Sequence, residues 1–127
     1  MMQMILICGL PNAGKTTYSA RYDNVVHLDD FLKDGSVYPL CQKALSEMTG
    51  DVCVEGIYGR KQQRISLIQS CEKQPYKICI WLKTPLHVCL ERSKTARSRS
   101  IVMAHYNRFQ PPTLDEGWDE IIIVRGG

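Results

Sequence analysis

At 127 residues, with 44% hydrophobic and 23% charged residues, the chain has the size and composition of a single folded domain. Its formal net charge of +3 is modest, and no apolar run approaches the length of a membrane span. The N-terminal residues MMQM carry neither the basic region nor the small-residue cleavage site of a secretory signal. We therefore predict one cytoplasmic domain over residues 1–127 and exclude a membrane protein.

Short apolar segments alternate with helix-like segments along the chain. The apolar segments predict five strands, over residues 3–8, 25–28, 52–55, 77–82 and 120–124. The helix-like segments lie at residues 15–21, 40–49, 60–73, 86–93 and 101–109. Apolar runs without polar alternation are typical of strands covered on both faces. The order of elements therefore predicts an α/β fold, with a five-stranded parallel sheet and helices on both of its faces.

The most informative motif lies between the first predicted strand and the first predicted helix. Residues 9–17 read GLPNAGKTT, which is the strand–GxxxxGK[ST]–helix arrangement of a phosphate-binding loop. The glycines permit a tight turn whose N–H groups point at a phosphate chain. The lysine supplies a charge to the terminal phosphates, and the following threonine suits a Mg²⁺ ion. We predict nucleoside triphosphate binding at Gly9, Asn12, Ala13, Gly14, Lys15, Thr16 and Thr17, with Thr16 as a metal ligand.

Acidic residues follow the second and third predicted strands. In open parallel sheets, ligands bind beyond the carboxyl ends of the strands, which selects Asp29, Asp30 and Glu55. A kinase needs a carboxylate that accepts the proton of the acceptor hydroxyl. We therefore predict a catalytic role for at least one of the two aspartates, although Asp30 could instead cap a turn. Glu55 is predicted to hold Mg²⁺ through water.

Basic residues concentrate in the C-terminal half of the chain. Residues 83–108 contain six Lys or Arg and one acid, Glu91. Residues 92–100, RSKTARSRS, predict a basic lid over the nucleotide, because lid arginines can stabilise the transferring phosphoryl group and exclude water. Arg97 is our first choice for that role, with Arg92 and Arg99 as alternatives. A solvated basic face is the simpler explanation of such a cluster.

The remaining chemistry-bearing residues carry weaker patterns. The six cysteines include no CxxC pair, which disfavours zinc and favours reduced thiols in the cytosol. The three histidines, His27, His87 and His105, have no recognisable partners in the sequence, so we predict structural or exposed positions for them.

With these residues identified, the chain resembles small P-loop kinases, particularly the kinase domain of phage-type polynucleotide 5′-hydroxyl kinases. The resemblance runs through residues 9–17, 28–31, 54–64, 81–92, 109–113 and 116–121. It implies a P-loop NTPase-type three-layer sandwich, with Asp29 as the general base and Arg97 near the lid arginine. It also implies that Asp30, Arg60 and Arg64 lie at the acceptor, with Arg60 or Arg64 contacting its phosphates, and that Arg92 lies at the nucleotide.

Two departures from that family concern the acceptor. The family carries an acceptor-phosphate arginine three residues after its catalytic aspartate, where this chain has Leu32. The region between Asp30 and Val52 is also short for a helical cover over the acceptor.

The leading hypothesis is an ATP- and Mg²⁺-dependent kinase that moves the γ-phosphoryl group to a polynucleotide 5′-OH. Separate repair or sealing proteins would then be its partners. The alternatives are a kinase of a small acceptor, such as a nucleoside, nucleotide or nucleotide-sugar, and an NTP-binding accessory module with slow hydrolysis.

Overall fold

The computed structural model describes residues 2–27 and 44–125 of the chain. The predicted catalytic segment around Asp29 and Asp30, and Leu32 with it, lies outside the described residues. In chain order the elements are β1 (Gln3–Cys8), α1 (Lys15–Ser19), β2 (Val25–His27), β3 (Val52–Glu55), α2 (Lys61–Gln69), β4 (Tyr76–Leu82), α3 (Leu86–Glu91), α4 (Ala96–Arg108), a 3₁₀ turn (Leu114–Glu116) and β5 (Glu120–Val124).

The strands form one five-stranded sheet in the order β2-β3-β1-β4-β5, and every neighbouring pair is parallel. The predicted five-stranded parallel sheet is confirmed. The chain leaves β1 toward one edge of the sheet and leaves β3 toward the other edge. A crevice therefore opens at the carboxyl ends of these two neighbouring strands, where α/β folds bind their ligands.

The sheet is covered on both faces because consecutive strand residues are apolar. Leu6 of β1 packs with Leu67 of α2 on one face, which we call the α2 face. Ile7 packs with Cys89 of α3 and Val102 of α4 on the other, which we call the loop face because the phosphate loop lies there. Side chains of adjacent strand residues point to opposite faces, so a continuous apolar run fills two cores. The arrangement is the predicted three-layer sandwich.

The predicted basic lid differs from the structure in its secondary structure. Helix α4 begins at Ala96, five residues before the predicted start at Ile101, so Arg97 and Arg99 lie in its first turn. The reason is a helix cap in which the hydroxyl of Thr95 accepts a hydrogen bond from the N–H of Ser98 at 3.0 Å. Only residues 92–95 remain as a connecting turn between α3 and α4.

A buried ion pair joins α2 to the segment before β5. The guanidinium of Arg64 is completely buried, and it donates to both carboxylate oxygens of Glu116, at 2.8 and 3.0 Å. It also donates to the carbonyl oxygens of Tyr58 and Gln110, each at 2.7 Å. Because this guanidinium is enclosed and hydrogen-bonded to protein, the prediction that Arg64 contacts acceptor phosphates is wrong.

None of the helices in the described part of the chain combines the length and the apolar character that a membrane span requires.

Candidate nucleotide-binding site

Residues 9–14 connect β1 to α1 as the predicted phosphate loop. Asn12 and Gly14 have φ angles of 67° and 99°, in the left-handed region that favours glycine. At Gly9 the loop passes so close to β4 that a Cβ atom would lie 2.9 Å from the carbonyl oxygen of Leu82. The first motif glycine is thus required by a close approach, and the second by its backbone conformation.

Side chains from outside the loop hold the carbonyl groups at its tip. The hydroxyl of Thr84 donates to the carbonyl oxygen of Ala13 at 2.7 Å, and Nη1 of Arg92 donates to that of Asn12 at 2.9 Å. The side-chain amide of Asn12 donates in return to the hydroxyl of Ser93 at 2.9 Å. These bonds fasten the loop to the start and end of α3.

Replacing Thr84 with valine is expected to weaken nucleotide binding by about 5-fold or more, since a buried carbonyl loses its donor at a cost of about 1–3 kcal/mol. Valine keeps the shape of the side chain, so the loop should lose its fastening with little change in packing. Isothermal titration with an ATP analogue measures the effect, and Thr49→Val at an exposed position serves as the control. An unchanged Kd in Thr84→Val would show that this bond does not shape the loop.

Lys15 begins α1, and its side chain folds back over the loop. Nζ donates a hydrogen bond to the carbonyl oxygen of Leu10 at 2.7 Å, and the residue is only 6% exposed. Thr16, the next residue, is exposed. Both residues line the same cleft, so the cation and the hydroxyl that the motif requires lie side by side.

The end of β3 contributes a buried carboxylate to this region. Glu55 is 2% exposed, and its Oε2 lies 2.5 Å from Nδ1 of His27, which ends β2. The parallel register of the two strands pairs these residues directly. Nothing in the sequence identified a partner for His27, and in the structure that partner is Glu55, 28 positions away. The usable signal was that Glu55 ends one predicted strand and His27 lies one residue before the end of another, and the strand order was needed to interpret it.

One cleft of about 820 Å³ brings these groups together. Its walls include the phosphate loop with Lys15, the Glu55 carboxylate, Arg92 at the end of α3, and Ile101 and His105 of α4. Burial lowers the pKa of His105 below its ordinary value, and the positive charges of Arg108 and Lys15 lower it further. His105 therefore presents a neutral imidazole to the cleft at pH 7. Nothing in the sequence indicated that His105 lies at the phosphate loop.

The donor set in the cleft fits a magnesium ion carried by a nucleotide. The hydroxyl of Thr16 and the carboxylate of Glu55 are hard oxygen donors, which Mg²⁺ prefers. Magnesium at phosphate sites uses one or two side chains together with substrate phosphates and water, and needs no full protein cage. Accordingly, residues 2–27 and 44–125 contain no group of three or more His, Cys, Asp or Glu side chains arranged to hold a metal.

Three of the predicted arginines lie apart from the cleft. Arg97 is exposed on the first turn of α4 and is not among the residues that line the cleft. Arg60 is exposed at the start of α2 and is likewise absent from the lining. Arg64 is in the buried ion pair described above. Thr17 lines the cleft with the rest of the loop, whereas Gly9 lies beneath it against β4.

Comparison with known proteins adds a structural likeness without a sequence match. No protein-family model and no curated protein matches this sequence. Among solved structures, a sugar kinase from Janibacter sp. HTCC2649 is similar over 98% of this chain and 86% of its own, with a TM-score of 0.70 and 13% identity. A gluconokinase from Sinorhizobium meliloti 1021 is similar over 98% of this chain and 83% of its own, with a TM-score of 0.69 and 14% identity.

A third solved structure, of a protein from Chloroflexus aurantiacus, has a TM-score of 0.64 and 17% identity. The similarity covers 98% of this chain and 88% of the chain in that structure. At these identities the likeness is one of architecture, and it extends over nearly the whole chain. The protein therefore shares its α/β fold with the sugar kinase and the gluconokinase.

Proposed function

We propose that the protein is a P-loop kinase that transfers the γ-phosphoryl group of ATP to a hydroxyl group of a small acceptor. The observation that carries this proposal is the cleft in which the phosphate loop, Lys15, Thr16 and Glu55 meet beyond the carboxyl ends of β1 and β3. Such a cleft combines phosphate recognition with carboxylate chemistry, as phosphoryl transfer requires.

Three observations favour a small acceptor over a polynucleotide. The structural neighbours include a sugar kinase and a gluconokinase. Arg64, one of the two arginines expected to contact acceptor phosphates, is buried in an ion pair. Leu32 stands where the polynucleotide kinases carry a further acceptor arginine. An acceptor site for a polynucleotide thus lacks two of the arginines expected to bind its phosphates. An acceptor without phosphates needs neither of these arginines.

In this proposal the loop and Lys15 bind the phosphates of ATP, and Arg92 contacts the nucleotide from the end of α3. Thr16 and Glu55 would hold Mg²⁺, the latter through water. The ion supplies charge neutralisation on the β- and γ-phosphates when it is bound. Lys15 would exchange its hydrogen bond with the Leu10 carbonyl for one with a phosphate oxygen.

The reaction is an in-line displacement at phosphorus. The acceptor oxygen forms a bond to the γ-phosphorus while the bond from that phosphorus to the β,γ-bridging oxygen breaks, and ADP leaves. The proton of the acceptor hydroxyl passes to the carboxylate of Asp29, the general base in this proposal. Arg97 or another arginine from the first turn of α4 would neutralise the transferring group after a movement toward the cleft.

Replacing Asp29 with asparagine is expected to leave the Kd for ATP within about 2-fold while lowering turnover by about 100-fold or more, since general-base catalysis contributes 10²–10⁴. Asparagine has nearly the same shape but cannot accept the proton at neutral pH. Asp23→Asn, at an exposed position before β2, is the matched control. Loss of ATP binding with normal turnover of bound ATP would contradict the role of a base.

A polynucleotide 5′-OH is the second candidate acceptor. Exposed Lys94, Arg97 and Arg99 follow directly after Arg92 of the cleft, so a strand of phosphates could continue from the nucleotide site along the start of α4. Separate repair or sealing proteins are expected as partners only if the acceptor is a polynucleotide.

The acceptor can be identified by label transfer from γ-labelled ATP in Mg²⁺. One panel offers sugars, sugar acids and nucleosides, and the other offers DNA and RNA oligonucleotides with a 5′-OH. Label on a small acceptor, lost in Asp29→Asn, would support the proposal, and label only on oligonucleotides would replace it with the second candidate. ATP binding with slow hydrolysis and no transfer in either panel would favour an accessory NTP-binding module.

A further inference from the structure

We propose that His27 is a positioning residue of the nucleotide site, whose imidazole orients the Glu55 carboxylate toward the Mg²⁺-carrying phosphates. This inference rests on the proposed function, because it concerns how Glu55 serves the ion. His27 itself need not touch the nucleotide.

The strand register brings the two residues together. β2 and β3 run parallel, with Val25 beside Cys53 and His27 beside Glu55. Side chains two residues apart on a strand share a face of the sheet. Val25 and Cys53 pack in the core of the loop face, together with Ala13 of the phosphate loop. His27 and Glu55 are therefore the last pair on that face, directly before the crevice.

The contact between His27 and Glu55 is short, and the two side chains differ in exposure. Nδ1 of His27 lies 2.5 Å from Oε2 of Glu55, and the side chains are 32% and 3% exposed. An ionised carboxylate at such burial needs a hydrogen-bond donor to offset its lost hydration. In this proposal Nδ1 carries the ring proton and donates it in a hydrogen bond to Oε2. Since Glu55 lines the cleft, Oε1 is the oxygen left to serve a ligand there.

Orienting a metal-binding carboxylate in this way has a measurable consequence. Partners that hydrogen-bond to metal ligands fix the direction of the ligand, and their loss costs about 10- to 100-fold in metal affinity. A histidine that only filled space would instead affect stability, without a specific effect on the ion. The two roles differ in how nucleotide affinity depends on Mg²⁺.

The test compares two substitutions of His27. Asparagine can place an amide N–H near the position of Nδ1, whereas leucine fills similar space with no donor. For each variant, the Kd of a non-hydrolysable ATP analogue is measured by titration calorimetry in Mg²⁺ and again in EDTA. His87→Leu, at an exposed position outside the cleft lining, is the control.

In the wild type, Mg²⁺ is expected to raise the affinity for the analogue. In His27→Leu we expect this gain in affinity to be smaller by about 10-fold or more, while the Kd in EDTA stays within about 2-fold of the wild-type value. His27→Asn should keep most of that gain. An undiminished Mg²⁺ effect in His27→Leu would overturn the inference, as would an equal loss in both variants. A wild-type protein without Mg²⁺-dependent nucleotide binding would instead contradict the proposed function.

A measurement on the wild-type chain covers the case in which His27→Leu does not fold. In protein labelled with ¹⁵N-histidine, the His27 ring should carry its proton on Nδ1. Its resonances should shift when the Mg²⁺ complex of the analogue is added, and should shift far less with the analogue in EDTA. A proton on Nε2 alone, or equal shifts in the two conditions, would overturn the inference.

Discussion

Lys15→Ala is expected to lower phosphoryl transfer by about 100-fold or more, comparable to the loss of one donor that stabilises a charged transition state. The lysine is nearly enclosed, and its ammonium lies against the loop carbonyl of Leu10, at the wall of the cleft. Alanine removes the only loop cation that the motif provides for the terminal phosphates. Nucleotide titration and the label-transfer assay measure the two consequences, weaker binding and slower turnover.

Lys73→Ala is the matched control, because Lys73 is exposed after α2 and lies outside the cleft lining. It removes the same charge from the chain, so a general effect of net charge would appear in both variants. Full activity in Lys15→Ala would refute the assignment of the phosphate loop, and with it the proposed function.

Arg64→Ala is expected to destabilise the fold by about 3–5 kcal/mol, because it leaves a buried charge without its partner. Burial alone would raise the pKa of Glu116, but hydrogen bonds from Arg64 and Trp118 and the N–H of Thr113, together with the Arg64 charge, lower it below the ordinary value. The carbonyl oxygens of Tyr58 and Gln110 lose donors as well. Urea denaturation followed by tryptophan fluorescence gives the change in the free energy of unfolding.

Arg60→Ala provides the comparison within the same region, since Arg60 is exposed one turn earlier and should cost no more than about 0.5 kcal/mol. Replacing both partners, as in Arg64→Met with Glu116→Leu, should recover much of the loss, because no unpaired buried charge remains. A cost below about 1 kcal/mol in Arg64→Ala would contradict the structural role. Under conditions where that variant stays folded, its Kd for ATP should match the wild type.

The parts of the fold that could be predicted are those that depend on neighbouring residues in the sequence. Ile5, Leu6 and Ile7 are consecutive and apolar, which already implies a strand with a core on each side. The phosphate loop is likewise contiguous, so its motif was readable without knowledge of the fold.

The parts that could not be predicted depend on distant partners. Arg64 is one of several basic residues around α2, and nothing local distinguishes it as the buried one, because Glu116 lies 52 positions away. His27 depends on the strand order in the same way. The early start of α4 was missed for a local reason, since Thr95 and Ser98 in a basic, polar stretch did not stand out as a helix cap.

The placement of Glu116 has a consequence for how the chain can fold during synthesis. Arg64 is made before the carboxylate that neutralises it, because Glu116 follows 52 positions later, with the indole of Trp118 beside it. Until Glu116 and Trp118 have been synthesised, burying the guanidinium of Arg64 would cost its hydration without a carboxylate to offset that loss. Burial of Arg64 on the α2 face is therefore expected to follow synthesis of the segment that carries Glu116.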